Sequence, residues 1–223
     1  MFHDMAGSSS AGASHPLKRS LRRPIVLVGI AVLVVVLAGG IVWLALPHAG
    51  SISEFPIPTA HSVPRGFAIA AGPDGNLWFT EQNGHKIGRI TPNGKLSEFA
   101  LPTTCQFACQ PTSITAGPDG SLWFTTDNGY LGQIGRITPS GSITMFPPPN
   151  GDAFGIAAGP DGSLWFTEPL GNKIGRITPS GSISEFPIPT PNSAPYGITA
   201  GPDGNLWFAE GQGNNIGRIS PRS

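Results

Sequence analysis

The chain has 223 residues and a formal net charge of zero, with 12% charged residues, 31 glycines and 24 prolines. This charge balance excludes the basic surface of a typical nucleic-acid-binding protein, and the length suits one sizeable domain or a repeat array. The glycines and prolines recur at fixed offsets between apolar runs, so they indicate turns rather than disorder.

The first predicted element is a membrane-spanning helix. Residues Ile25–Leu46 contain no charged side chain, and a helix of about 22 residues crosses a hydrocarbon core of roughly 30 Å. Four basic residues precede this run: Lys18, Arg19, Arg22 and Arg23. By the positive-inside rule they predict that the tail before the helix is cytoplasmic.

We therefore expect three regions: a basic cytoplasmic tail over 1–23, a single-pass signal-anchor helix over 24–47, and an extracytoplasmic domain over 48–223. The predicted location is the cell membrane. A cleaved signal peptide is the alternative, but the apolar run exceeds the usual length of such a peptide.

The rest of the chain is built on four copies of one phrase, which begins AGPDG and continues to LWF. The copies start at Ala71, Ala116, Ala158 and Ala200, and each is followed by IGRIT or IGRIS. Their spacing of 42 to 45 residues is typical of β-propeller blades. Each unit divides into four short runs separated by Pro-Asp-Gly and similar turns, as a four-stranded antiparallel blade does. The sequence therefore predicts an all-β fold, a four-bladed β-propeller.

Matching stretches suggest how the ring closes. Residues Ser51–Thr59 read SISEFPIPT, which is also the sequence of Ser182–Thr190, the outermost run of a unit. The last unit contains the first three runs. We expect the first stretch to pair as the outer strand of the last blade and close a monomeric ring, which would also protect an exposed edge. A dimer that forms an eight-bladed ring is the alternative.

Two cysteines, Cys105 and Cys109, lie in one loop of the second unit. In an exported domain they can form a local disulfide. Two free thiols are the alternative. A C-x3-C pair without a neighbouring histidine does not match a zinc site.

Several side chains recur once per unit. Glu81, Glu168 and Glu210 end the second run, and three carboxylates around one axis could hold a metal ion, whereas pairing with Lys86 or Lys173 would make them structural. We expect the aspartates of the Pro-Asp-Gly turns to shape the hairpins. The arginines of IGRI are expected to bridge neighbouring blades, and the tryptophans to fill the core between them.

The units, such as PYGITAGPDGNLWFAE and IGRITPSGSISEFPIPT, resemble the repeats of the virginiamycin B lyase (streptogramin lyase) family, relatives of the NHL-type propellers. The resemblance covers about residues 51–223. It implies an enzyme that opens the ester-closed ring of streptogramin B antibiotics by elimination, with Mg²⁺ polarising the substrate and a histidine as general base. Such an activity would confer antibiotic resistance.

The residues depart from the family pattern at the catalytic position. The family's histidine follows a proline just before the inner strand, whereas the matching positions here are Arg65, Thr112, Phe154 and Tyr196. We expect these four to line the loop face and bind a ligand, with ordinary loop packing as the alternative.

Two histidines, His61 and His85, remain as candidate catalytic bases. Solvated loop positions are the structural alternative for both. The sequence therefore predicts a membrane-anchored module that binds a small molecule or a surface partner and needs no cofactor. The alternative is an active, Mg²⁺-dependent streptogramin B lyase.

Overall fold

The structure is a computed structural model that describes residues 50, 52–60, 68–103, 109–127 and 131–221, and the backbone alone of 32–37 and 40–45. Three of the predicted site residues, His61, Arg65 and Cys105, lie outside the described residues. The chain divides into two compact units, Met1–Glu54 and Phe55–Ser223.

The first unit contains a two-stranded antiparallel hairpin of β1 (Val32–Leu37) and β2 (Gly40–Ala45), with Val32 opposite Ala45. The predicted helix is therefore not supported. The run is rich in valine and isoleucine, whose branched Cβ atoms favour extended backbone over helix. In the described part of the chain, no helix has the length and hydropathy of a membrane span. The membrane location stays a prediction.

The second unit consists of short antiparallel strands in four sheets, numbered here in chain order. Sheet 1 contains β3 (Ile69–Ala71), β4 (Leu77–Glu81), β5 (Lys86–Ile90) and β6 (Leu96–Ala100). Sheet 2 contains β7 (Gln110–Ala116), β8 (Leu122–Asp127), β9 (Gln133–Ile137) and β10 (Ile143–Phe146). Sheet 3 contains β11 (Ile156–Ala158), β12 (Leu164–Glu168), β13 (Lys173–Ile177) and β14 (Ile183–Pro187). Sheet 4 contains β15 (Pro195–Ala200), β16 (Leu206–Glu210) and β17 (Asn215–Ile219). These all-β meanders are consistent with the blades of a β-propeller.

The innermost strands β3, β7, β11 and β15 contact one another in chain order, so the sheets form an ordered array. Residues 52–57 form no strand, and the fourth sheet has three strands. The predicted pairing that would close the ring is therefore absent among the described residues. The number of blades in a closed ring stays a prediction.

The hydrophobic core lies between neighbouring sheets rather than inside any one of them. At each junction, the tryptophan of one sheet packs with the isoleucine, leucine and phenylalanine side chains of the next. The buried members at the sheet 1–2 junction are Trp78, Ile87, Ile114, Leu122, Phe124 and Ile137. The corresponding clusters at the next two junctions contain Trp123 and Trp165. The predicted core role is confirmed for these tryptophans.

The turn aspartate and the arginine fix each tryptophan from its two sides. In sheet 1 the indole N–H of Trp78 donates to Asp74 at 3.0 Å, and the Arg89 guanidinium lies 5.3 Å from the ring centroid. The same three residues recur in every sheet. Arg89 also donates to the carbonyl of Pro139 in the next sheet at 2.8 Å. The predicted structural roles of the aspartates and of this arginine are thus confirmed.

Candidate ligand site on the inner strands

Three of the predicted ligand-binding residues line one cavity, named here the inner-strand cavity. It has a volume of about 220 Å³ and is formed by the inner strands of sheets 2, 3 and 4. Its lining comprises Thr112, Ser113, Phe154, Gly155, Ile156, Tyr196, Gly197 and Ile198. The structure thus brings Thr112, Phe154 and Tyr196 together, as the sequence predicts, although Arg65 cannot be placed with them.

Two of the cavity residues, Thr112 and Tyr196, lie at local irregularities of the strand pairing. The pairing of β7 with β8 shifts register between Pro111 and Ser113, and the pairing of β15 with β16 shifts between Pro195 and Ile198. Thr112 and Tyr196 lie within these shifts. A bulge turns a side chain away from the regular alternation and commonly occurs beside functional sites. The prolines favour it, because they cannot donate to the ladder.

Threonines of the second strands hold the cavity residues across the sheet junctions. The hydroxyl of Thr125 in sheet 2 donates to the carbonyl of Phe154 in sheet 3. The hydroxyl of Thr167 in sheet 3 donates to the carbonyl of Tyr196 in sheet 4 at 2.9 Å. Both threonines are fully buried. Sequence reasoning missed these positioning residues, although their recurrence in the LWFT phrase was a visible signal.

The chemistry of the cavity is aromatic and neutral. The rings of Phe154 and Tyr196 meet edge to face, with centroids 5.2 Å apart, which is a favourable aromatic geometry. Thr112 bonds inward to the Thr125 hydroxyl at 3.0 Å. No histidine or carboxylate is among the described residues that line the cavity. Such a lining can bind an apolar ligand and offers it few hydrogen bonds.

His85, the described catalytic candidate, lies in a turn rather than in the cavity. Its backbone has φ of 52°, the same value as Asn172 and Asn214 in the matching turns of sheets 3 and 4. Its Nδ1 lies 2.9 Å from the Cys109 carbonyl, so the ring ties this hairpin to the loop before β7. In the matching turn of sheet 3, the side-chain oxygen of Asn172 accepts a hydrogen bond from the backbone N–H of Ser193. The geometry supports the structural alternative for His85.

The three recurring glutamates lie at the ends of the second strands, in different sheets. Glu81 is directly opposite Lys86, Glu168 opposite Lys173, and Glu210 opposite Asn215. Within the described residues, no group of three His, Cys, Asp or Glu side chains could hold a metal ion. A metal role for the glutamates therefore has no geometric support here.

The Glu168 carboxyl lies in an unusual electrostatic environment. Its two oxygens are buried and accept no hydrogen bond from the described residues. Burial, together with the neighbouring Glu185 carboxylate, raises its pKa to about 8, although Lys173 opposes the shift. Lys173 itself is bound by Glu185 at 2.6 Å. This cluster lies at the hairpin side of sheet 3, outside the lining of the inner-strand cavity.

Cys109 is in a disulfide. Cys105, the partner that the sequence predicts for it, lies outside the described residues. The predicted Cys105–Cys109 bridge therefore stays a prediction.

Comparison with known proteins identifies the repeat pattern. The model of the Virginiamycin B lyase family matches residues 40–223. This chain belongs to that family. The resemblance inferred from the sequence is therefore confirmed, and the virginiamycin B lyase repeats account for the four sheets.

Solved virginiamycin B lyases share the fold of the chain. A catalytically inactive histidine-to-alanine variant of the enzyme from Staphylococcus aureus, with quinupristin, is 49% identical with a TM-score of 0.70. That alignment covers 78% of this chain and 57% of the other. A selenomethionine form of the Staphylococcus aureus enzyme is 38% identical with a TM-score of 0.67, over 86% and 78% of the two chains.

Curated relatives match over a shorter stretch. Virginiamycin B lyase from Bordetella parapertussis is 44% identical over 63 residues, which is 28% of this chain and 19% of the relative. The chain thus aligns with about a fifth of the curated relative and with little more than half of the Staphylococcus aureus variant. Family membership therefore does not by itself establish that this chain has the activity of those whole enzymes.

Proposed function

We propose that this chain is a non-catalytic binding member of the virginiamycin B lyase family. Its ligand is an ester-closed peptide ring of the streptogramin B type, held in the inner-strand cavity and left intact. Family membership supports the ligand class. The observation that carries the proposal is the cavity lining, which presents Phe154, Tyr196 and Thr112 where the family pattern has histidines.

The missing chemistry supports binding without turnover. Ring opening by elimination needs a general base within hydrogen-bond reach of the proton that it removes. A phenyl ring and a threonine hydroxyl do not accept that proton at neutral pH. In the catalytically inactive Staphylococcus aureus variant, one histidine is replaced by alanine. We expect the cavity to retain aromatic contacts with the ligand and to supply no base.

Substitution of the aromatic side chains tests the binding site. Tyr196→Ala and Phe154→Ala each remove an aromatic ring from the cavity. We expect each to weaken the binding of virginiamycin B by at least tenfold, equivalent to about 1.4 kcal/mol. Isothermal titration calorimetry measures the change. Tyr196→Phe is the matched control, which keeps the ring and should bind within a few-fold of wild type. Unchanged affinity in both alanine variants would place the ligand elsewhere.

The second candidate function is an active streptogramin B lyase with Mg²⁺, favoured by the enzymes to which the chain is similar. Its base would be His61, which lies outside the described residues, or His85. The His85 ring is engaged by the Cys109 carbonyl, so His61 is the better test. Under this alternative, His61→Ala abolishes a Mg²⁺-dependent ring opening that the wild-type chain performs.

Attachment to the cell membrane is a separate part of the proposal. It is supported by the uncharged run 25–46 and the basic residues before it, although the described strands 32–37 and 40–45 pair as a hairpin. We expect the full chain to remain in the membrane pellet after carbonate washing of producing cells. Recovery of the intact chain in the soluble fraction would overturn the attachment.

A further inference from the structure

One face of sheet 1 is exposed where the matching faces of the other sheets are buried. Ile69 is 64% exposed and Leu77 is 45% exposed. The isoleucines and leucines at the same positions of sheets 2 and 3 are covered by the preceding sheet: Ile114, Leu122, Ile156 and Leu164. Sheet 1 therefore presents half of a sheet junction to solvent.

The opposite face of the array, on sheet 4, presents the other half. Ile216 is 67% exposed, whereas its counterparts Ile87, Ile134 and Ile174 are buried. Beside Ile216 is a hollow of about 410 Å³, lined also by Trp207, Phe208 and Ile198. In the junctions within the chain, such a hollow is filled by the apolar side chains of the following sheet.

The junctions within the chain show what fits these two faces. In each, the tryptophan and third-strand isoleucine of one sheet pack against the first-strand isoleucine and second-strand leucine of the next. On sheet 4 the first pair comprises the partly buried Trp207 and the exposed Ile216, and sheet 1 exposes the second pair, Ile69 and Leu77. The two faces have the same complementarity as the buried junctions.

The segment 55–59, named here the docked segment, lies against sheet 1 in the position of an outer strand from a preceding sheet. A Cβ placed on Gly94 would lie 2.3 Å from the Phe55 ring, just as one on Gly141 would lie 2.3 Å from the outer-strand Phe99. The Thr59 hydroxyl accepts from Lys86 at 2.5 Å. This contact matches that of Thr190, which precedes sheet 4, with Asn215.

The docked segment has a phenylalanine without a stacked tryptophan among the described residues, and sheet 4 has a tryptophan without a stacked phenylalanine. The outer-strand phenylalanines stack on the tryptophan of their own sheet, with centroids 5.4 to 5.5 Å apart in sheets 1, 2 and 3. In the described part of the chain, Trp207 has no stacked phenylalanine and Phe55 has no stacked tryptophan. Sheet 4 has three strands, and Phe55 is half exposed.

We infer that sheet 4 of one copy packs against sheet 1 of a second copy. The docked segment of the second copy then becomes the fourth strand of sheet 4 in the first copy. The register follows from sheet 3, in which Phe186 lies opposite Ile174 and Pro187 opposite Lys173. Phe55 of one copy therefore lies opposite Ile216 of the other, and Pro56 opposite Asn215. Two such contacts, related by a twofold axis, close a ring of eight sheets without a free edge.

Disulfide trapping across two separately made variants tests this register. Full-length Pro56→Cys and Asn215→Cys, each purified in a mild detergent, are mixed under mild oxidation. We expect a covalent heterodimer on non-reducing gels that dithiothreitol converts to monomer. Lys173→Cys is the matched control, because Pro187 already occupies the position opposite it. Lys173→Cys with Pro56→Cys, and the wild-type chain alone, should give no covalent dimer.

The mass in solution tests the same contact without cysteines. Light scattering in detergent should give twice the chain mass for wild type and the single chain mass for Ile216→Glu, which places a carboxylate in the contact. A wild-type chain that stays monomeric overturns the inference. So does a cross-mix without covalent heterodimer, or a Pro56→Cys/Asn215→Cys double variant that cross-links only within one chain. The inference does not depend on the proposed ligand, because neither readout measures binding.

Discussion

At the scale of single residues, the same side-chain types recur with different surroundings. Hydrogen bonds from Trp207 and Asn205 lower the pKa of the turn aspartate Asp203 to about 2. Burial beside Glu185 instead raises that of Glu168 to about 8. Glu168 is therefore protonated at neutral pH, which avoids a second negative charge next to the Glu185–Lys173 ion pair.

The raised pKa of Glu168 predicts how stability varies with pH. The folded state holds a proton at Glu168 up to about pH 8, while the unfolded state releases it near the ordinary value of about 4.5. The free energy of unfolding therefore falls as pH rises between these values. Glu168→Gln should remove this dependence and make the chain more stable than wild type at pH 8 to 9, by urea denaturation.

A control of opposite sign is available in sheet 1. A hydrogen bond from Lys86 lowers the pKa of Glu98, so its ionised form contributes stability that is present above its ordinary pKa and lost toward acid pH. Glu98→Gln should therefore destabilise the chain at neutral pH. If Glu168→Gln follows the wild-type curve from pH 5 to 9, the buried acid is not protonated as described.

The residue scale also shows what sequence alone could reach. The family pattern pointed to Thr112, Phe154 and Tyr196, and all three line the inner-strand cavity. Thr125 and Thr167 recur visibly in the LWFT phrase, but the partners of their hydroxyls could not be predicted, because these hydrogen bonds cross a sheet junction. The burial of Glu168 could not be predicted from the sequence either, since burial depends on packing between residues distant in sequence.

At the scale of elements, the hairpins between the second and third strands of sheets 1, 3 and 4 share one left-handed turn position. His85, Asn172 and Asn214 occupy it with the same φ of 52°. Asparagine adopts this conformation more readily than most residues, whereas alanine is disfavoured there. The turn chemistry was predictable from the repeat. The hairpin of β1 and β2 was not, because a continuous apolar run has no periodicity that separates helix from strand.

Substitution of His85 separates the turn role from a catalytic one. His85→Asn should fold with unchanged stability, since sheets 3 and 4 already have asparagine at this position. His85→Ala should lose about 1 kcal/mol because of the left-handed backbone. Thermal unfolding measures both, and virginiamycin B affinity should be unchanged in the asparagine variant. A ring-opening activity that disappears in His85→Asn would instead make this histidine the base.

At the scale of the whole molecule, the fold is a repetition of one junction. The repeat period and the four sheets were predictable, since each sheet is formed by residues close in sequence. That the sheets do not close into a ring among the described residues was not predictable, because ring closure depends on the angle between sheets and on pairing between distant segments. The same repetition places the cavity residues on or directly before successive inner strands, so the site is a property of the array rather than of one sheet.

The most direct test of the proposed function is a single incubation of the full chain with virginiamycin B and Mg²⁺ in excess. Equilibrium dialysis measures the bound fraction, and chromatography with mass spectrometry separates the intact ring from an opened isomer of the same mass. We predict a bound ligand that is recovered intact at high protein concentration. Accumulation of the opened isomer, at a rate that is proportional to the protein concentration and is lost without Mg²⁺, would contradict a binding role and identify an active lyase.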